Sequence, residues 1–193
     1  LEGSGSILNN SSHTVGLVKG ASYVGGLIGR SDGTVGEIVS GTTTYTTYAT
    51  NNVEGSGDYV GGLIGQAYSG AVKNTSASGT VTGHTVGATV NNTGMYAGGL
   101  VGYLSAPLTY SKYVGTLVKV GHQGGGLVGR STTSGSITDS YSTGEVQSNS
   151  SYVGGLVGLS QASITGTSST VGSTTFASGN VTTGSDLTCC FFK

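Results

Sequence analysis

Charge is the first thing this sequence lacks. Lys and Arg number 7 and Asp and Glu 8, so 8% of the 193 residues are charged, against a usual ~25%. With a net charge of −1 and no basic stretch, a nucleic-acid partner is excluded, since such binding needs clustered cations. A charged disordered tail is excluded for the same reason. Pro and Met occur once each and Trp not at all. No run reaches the ~18 apolar residues of a membrane span before Gly, Ser or a charge interrupts it. The only two cysteines, Cys189 and Cys190, are adjacent, so neither can bridge to a distant part of the chain and no disulfide framework exists.

What fills the chain instead is small. Gly contributes 38 residues, Ser 28 and Thr 28, nearly half the total. All three are mediocre or poor helix formers, which removes an ordinary helical protein. A flexible linker and a turn-rich β architecture remain. The 21 Val and 11 Tyr decide between them: a linker has no use for strand-forming residues, and ordered β structure does. The length fits one domain.

The chain repeats itself. Tyr23-Val24-Gly25-Gly26-Leu27-Ile28-Gly29 returns as Tyr59-Val60-Gly61-Gly62-Leu63-Ile64-Gly65, as Tyr96-Ala97-Gly98-Gly99-Leu100-Val101-Gly102 and as Tyr152-Val153-Gly154-Gly155-Leu156-Val157-Gly158. A copy without the Tyr is Gly124-Gly125-Gly126-Leu127-Val128-Gly129. Successive copies are 36, 37, 27 and 29 residues apart. Degenerate copies at 15–19 and 113–119 raise the expected number of turns to seven. After each heptapeptide come a polar turn, a short alternating run and Gly-x-Val, clearest over 135–146. Two or three short strands per repeat, punctuated by Gly, predict a β-solenoid.

These residues closely resemble the GLUG-repeat family, in Gly26–Gly29, Gly62–Gly65, Gly99–Gly102, Gly126–Gly129 and Gly155–Gly158, and the resemblance covers about residues 15–185. It implies a parallel β-helix of the kind found in large secreted or surface-attached microbial proteins, often adhesin-like, and it carries no catalytic residue. The long spacer over 41–58 departs from a compact repeat.

In a coil stack, equivalent residues recur ~4.8 Å apart. Gly-Gly is expected at a corner, through positive φ and close backbone approach. The adjacent Leu and Ile or Val pose a problem, because neighbouring strand residues face opposite sides. Either a bend turns both inward, or one of each pair forms an outer aliphatic stripe. Tyr23, Tyr59, Tyr96 and Tyr152 would stack as a surface ladder, stabilising by ring contact or serving as a carbohydrate or partner platform.

Chemistry-bearing groups are scattered. Measured from its repeat's Gly-Gly-Leu glycine, Asp32 lies at +7, Asp139 at +14 and Glu145 at +20, so they do not assemble the carboxylate pair a β-helix hydrolase needs. His13, His84 and His122 have no metal-ligand spacing. Gly-Leu-Val-Gly is not followed by the Gly-Lys-Ser/Thr of a phosphate loop. Thr clusters such as 42–47 fall at different offsets, unlike an ice-binding face. Asn-x-Ser/Thr triplets at Asn9, Asn10, Asn74, Asn91, Asn149 and Asn180 are expected by chance in a chain this rich in Ser and Thr. No enzyme, metal or cofactor is expected.

The expected architecture is therefore all-β: one parallel β-solenoid over 1–193, of about five to seven coils, with an N-terminal edge segment at 1–14, repeats over 15–185 and an apolar C-terminal segment at 186–193. Starting at Leu1 without a signal pattern, the chain reads as a processed form or a fragment. The expected function is structural, an extracellular fibre subunit that joins copies of itself head to tail. Ile7, Leu8, Leu187, Cys189, Cys190, Phe191 and Phe192 are the candidate inter-subunit residues. The two cysteines can pair with each other, with another chain, or stay reduced and buried beside the two Phe. The alternative is a binding module of a large adhesin that grips a glycan or a host surface.

Overall fold

A computed structural model describes residues 7–8, 11–12, 16–36, 38–40, 43–83, 96–148, 152–166 and 175–183. The chain winds as a parallel β-solenoid. Each coil lays down five short strands in fixed order, and each strand pairs in parallel with its equivalent in the next coil. Sheet 1 stacks Ile7–Leu8, Val35–Gly36, Val72–Lys73, Leu108–Thr109, Ile137–Thr138 and Ile164–Thr165. Sheet 2 stacks Ser11–Ser12, Thr47–Ala49, Thr75–Ala77, Lys112–Tyr113, Tyr141–Ser142 and Phe176–Ala177. Sheet 3 runs from Leu17–Gly20 through Asn52–Gly55, Val81–Thr82, Leu117–Val120 and Glu145–Ser148 to Val181–Thr183. Sheets 4 and 5 have five strands each, starting at Val24–Gly25 and Ile28–Ser31. The described residues thus make five full coils and a sixth that reaches sheet 3. The degenerate copies at 15–19 and 113–119 are not extra turns: Leu17–Gly20 and Leu117–Val120 are sheet 3 strands of coils that already carry a Gly-Gly-Leu bend.

Register is set by inward ladders. Sheet 3 repeats one residue type in all six coils, Val18, Val53, Val81, Val118, Val146 and Val181. Sheet 1 carries Val35, Val72, Leu108, Ile137 and Ile164 in one column. A one-residue slip would turn a whole ladder out to water, and each buried aliphatic side chain is worth ~1.5–3 kcal/mol.

The Gly-Gly-Leu segment is the bend between sheets 4 and 5, and it answers the question of the adjacent aliphatics. Leu63 and Ile64, Leu100 and Val101, and Leu127 and Val128 are all fully buried. The turn lies between them, so both face the core and no outer stripe forms. The glycines do not work through positive φ, which among the described glycines occurs at Gly36 and Gly70 only. They work through close approach. A Cβ on the first glycine would strike the opposite arm of the bend, as at Gly61, 2.0 Å from Ile64 O. On the second it would strike the next coil, as at Gly62, 2.1 Å from Gly99 O. On the third it would strike the first arm, as at Gly65, 2.7 Å from Tyr59 O. Three glycines in five residues are the steric condition for a bend this tight to stack on itself.

A second corner, between sheets 1 and 2, does use left-handed backbone. Asn74, Tyr110 and Asp139 have φ of 50°, 51° and 47° and occupy one column. Asn, Asp and Gly tolerate this region, whereas for Tyr110 it costs ~1–3 kcal/mol. The residue after the corner is a buried hydroxyl in the second to fifth coils, Thr47, Thr75, Ser111 and Ser140. Thr75 N–H donates to Ser111 Oγ at 3.1 Å and Ser111 N–H to Ser140 Oγ at 3.1 Å. Ser111 Oγ and Ser140 Oγ donate back to Thr109 O and Thr138 O, both at 2.8 Å. These hydroxyls satisfy backbone groups that the corner takes out of the ladder.

The long spacers are insertions within coils of otherwise ordinary size. Ten residues separate Gly36 from Thr47, where Asn74 alone separates Lys73 from Thr75. The detour contains an antiparallel hairpin, Ile38–Ser40 with Thr43–Tyr45. A second insertion, 84–95, falls between sheets 3 and 4 and lies outside the described residues.

Candidate functional site

Three features depart from the regular aliphatic ladders, two at the surface and one inside. The first is the tyrosine face beside the Gly-Gly-Leu bend. Tyr23, Tyr59 and Tyr152 have left-handed φ of 57°, 61° and 61°, whereas Tyr96 sits in a strand. Rings of Tyr23 and Tyr59 are 4.9 Å apart and those of Tyr59 and Tyr96 5.7 Å apart. The four tyrosines do not make one unbroken stack. Gln123 takes the tyrosine slot in coil 4, and Tyr152 meets His122 instead, at 5.9 Å. Nor are the four equally accessible: Tyr23 is 44% exposed and Tyr96 only 7%. Tyr96 is covered by two residues from sheet 5. Tyr103 lies 5.6 Å away ring to ring, and Arg130 donates from Nη1 to the Tyr96 hydroxyl at 2.7 Å with its guanidinium 5.3 Å from the ring. Burial raises the Tyr59 phenol, helped by the neighbouring Tyr23 and Asp58. Burial likewise lowers His122. The face is a packed seam closing the mouth of the bend.

The second feature is internal. Tyr113 is fully buried in a sheet 2 column that otherwise holds Ala49, Ala77, Ser142 and Ala177. Its hydroxyl lies 2.8 Å from Gly79 O and 2.9 Å from Leu117 O, two acceptors that share its single proton. Burial pushes its pKa far above the ordinary phenol value. Gly99, Gly115 and Gly144 make room for the ring. Composition gave no hint of this residue; the signal was its inward register between Ala77 and Ser142, which needs the coil alignment to be seen.

The third feature is a groove of about 240 Å³ on the outer side of the sheet 1–sheet 2 corner. Tyr110 and Tyr141 line it together with Asn74, Ser76, Lys112 and Asp139. Tyr110 is 57% exposed. Tyr141 is held by Phe176 of the next coil, ring centroids 4.9 Å apart and planes 2° from parallel. The sequence named Asp139 only as an acid without a partner column. It did not reveal that the 1–2 corner lifts Asp139 and Tyr110 into one column beside Tyr141.

The remaining acids are dispersed. Asp32 pairs with Arg30 at 3.3 Å and Glu54 with Lys19 at 3.3 Å, while Glu145 accepts from Gln147 Nε2 at 2.8 Å. Among the described residues no two acids share a column and no three His, Cys, Asp or Glu stand together. His13, His84, Glu2, Glu37 and Asp186 lie outside the described residues, as do Leu187, Cys189, Cys190, Phe191 and Phe192. Ile7 and Leu8 are placed by backbone pairing with Val35 and Gly36.

Residues 56–82 and 120–147 match the family model described as the GLUG motif. The matched segments begin at the start of the loop into sheet 4 (residue 56) and at the last residue of the sheet 3 strand before it (residue 120), pass through sheets 4, 5, 1 and 2 and end in sheet 3. One motif is therefore one turn of the solenoid, and the two matched turns are those without an insertion inside them. Neither the comparison with curated proteins nor that with solved structures finds a match.

Proposed function

We propose that this chain is a structural segment of an extracellular surface fibre, and that it associates with further copies of itself end to end. The observation behind this reading is the constancy of the stacking register. Each coil offers the next the same five strand edges over the same apolar columns, so a coil of another copy could add in the same way. Among the described residues, the strands of the first coil are paired on one side only. Leu17 there is 51% exposed, and low charge leaves little repulsion between edges. A contact between unlike ends does not close on itself and propagates into a filament. The extracellular setting rests on the two turns that match the GLUG motif and on what the likeness to that family implies.

A second reading, a binding module of an adhesin that holds a glycan or a host surface, is favoured by one observation, the exposed aromatic groove with mixed polar groups. Native size separates the two. Sedimentation of the purified chain at rising concentration, with electron microscopy of the heaviest species, tests the first. Filaments are the expected result, and a monomer at high concentration overturns it.

A further inference from the structure

We infer that the groove at the sheet 1–sheet 2 corner is a saccharide site, with Tyr110 as the platform for one ring of a neutral oligosaccharide. This rests on the binding-module reading and gives it a place and a ligand class. The argument begins with what the fold does not require. The slot of Tyr110 is filled by Asn74 and Asp139 in the neighbouring coils, residues suited to left-handed backbone. Tyr110 is not suited to it, yet holds φ 51°. The other left-handed tyrosines have ring partners: Tyr23 and Tyr59 meet each other in a tilted contact, and Tyr152 meets His122. Tyr110 makes no ring contact and no side-chain hydrogen bond among the described residues, and 57% of it is open to solvent. Strain without a packing return points to use by something outside the chain.

The groove's chemistry identifies the class. A sugar ring presents an apolar C–H face, which an electron-rich aromatic face attracts, and a rim of hydroxyls that both donate and accept. Tyr110 and Tyr141 supply the aromatic walls, and Tyr141 is preset by its stack on Phe176. Asn74, Ser76, Lys112 and Asp139 supply donors and acceptors around them. One cation and one carboxylate give no net field for an ionic ligand. The volume of about 240 Å³ lies just under the ~300–1,000 Å³ of sites for drug-sized ligands and takes one or two sugar rings, with the chain running on along the stack. The hairpin Ile38–Ser40 with Thr43–Tyr45 is inserted at this same corner, and Thr46 after it is part of the groove wall.

The test is binding of the whole chain to a panel of neutral gluco-, galacto- and manno-configured oligosaccharides of two to four rings, followed by calorimetric titration of any that bind. Tyr110→Asn copies the residue of the coil below and should keep or raise the melting temperature, since Asn suits the left-handed backbone, while lowering affinity at least tenfold. Ser76→Tyr fills the groove from a column that already accepts Tyr48 and Tyr141, and should abolish binding without touching Tyr110. Tyr68→Ala, an exposed tyrosine outside the groove, should bind as the parent does. If the parent binds and both groove variants bind equally well, this site is wrong and the binding-module reading survives. If the parent binds no member of the panel, the saccharide site falls, and the binding-module reading is left with a host surface as its only ligand.

Discussion

Gly144 lies flat against the ring of Tyr113: a Cβ on Gly144 would sit 2.3 Å from Tyr113 Cε1, with the next obstacle Gly115 O at 2.9 Å. The large buried ring and the missing side chain one coil above it are therefore two halves of one packing solution. Gly144→Ala should destabilise by ~1–3 kcal/mol through overpacking. Tyr113→Ala should cost ~3–5 kcal/mol, as for other buried aromatics truncated to Ala. Together they should cost less than their sum, because the ring that blocks the methyl is gone. A double-mutant cycle from denaturant unfolding should show ~1 kcal/mol or more of favourable coupling. Strict additivity would mean that the ring and Gly144 are not in contact.

Alkali should reach the same residue. The Tyr113 phenol ionises far above its ordinary value near 10 because burial disfavours the anion. The folded chain thus holds a proton that the unfolded chain releases. Stability is complete below pH ~10 and falls above it, by about 1.4 kcal/mol per pH unit for one such group. Tyr113→Phe should be less stable at pH 7 by ~1–3 kcal/mol, since Gly79 O and Leu117 O lose their donor. Its stability should also change less between pH 9 and 11.5 than the parent's. Parallel pH profiles for the two proteins would show that Tyr113 ionises normally.

Much of the architecture was legible in the sequence, for a physical reason: in a solenoid, adjacency in space is repetition in sequence. Val81 and Val146 could be seen as one column because each closes a Gly-x-Val run at the same distance from the glycine that opens it, Gly70 and Gly135. The bend itself was harder. Leu63 and Ile64 alternate in a straight strand, and only the close approach of Gly61 and Gly65 to the opposite arm turns both inward. The corner at Asn74, Tyr110 and Asp139 was not legible, because three different side chains share a backbone conformation rather than a residue type. The spacer after Gly36 looked like a broken repeat and is an insertion, since the pairing on either side of it keeps register.

The glycines of the bend should not be equally sensitive. At Gly126 a Cβ would lie 2.0 Å from Gly155 O, a backbone atom of the next coil that cannot swing aside. At Gly155 the nearest described atom is Ala177 Cβ at 3.1 Å. Gly126→Ala should cost more than ~2 kcal/mol and Gly155→Ala less than ~1 kcal/mol. Gly99→Val, facing both Gly126 O at 2.2 Å and Tyr113 Cγ at 2.3 Å, should cost more than either alanine. Equal losses at Gly126 and Gly155 would show that backbone entropy, not contact between coils, sets the demand for glycine.

The hairpin insertion should be removable without loss of the coil. Its base is already closed as in the coils that lack it. Thr47 Oγ1 donates to Gly36 O at 3.2 Å, the same bond that Ser111 makes to Thr109 O and Ser140 to Thr138 O. The ten residues 37–46 therefore leave and rejoin the solenoid at points that a single residue spans elsewhere. Replacing them with one Asn, as at Asn74, reduces the 36-residue spacing to the 27 residues of the shortest repeat. The new Asn meets a left-handed corner that suits it, and the shorter connection costs less closure entropy. Denaturant unfolding should show a change of less than ~1 kcal/mol and an unaltered cooperative transition. A loss above ~2 kcal/mol would mean that the hairpin braces the corner rather than decorating it.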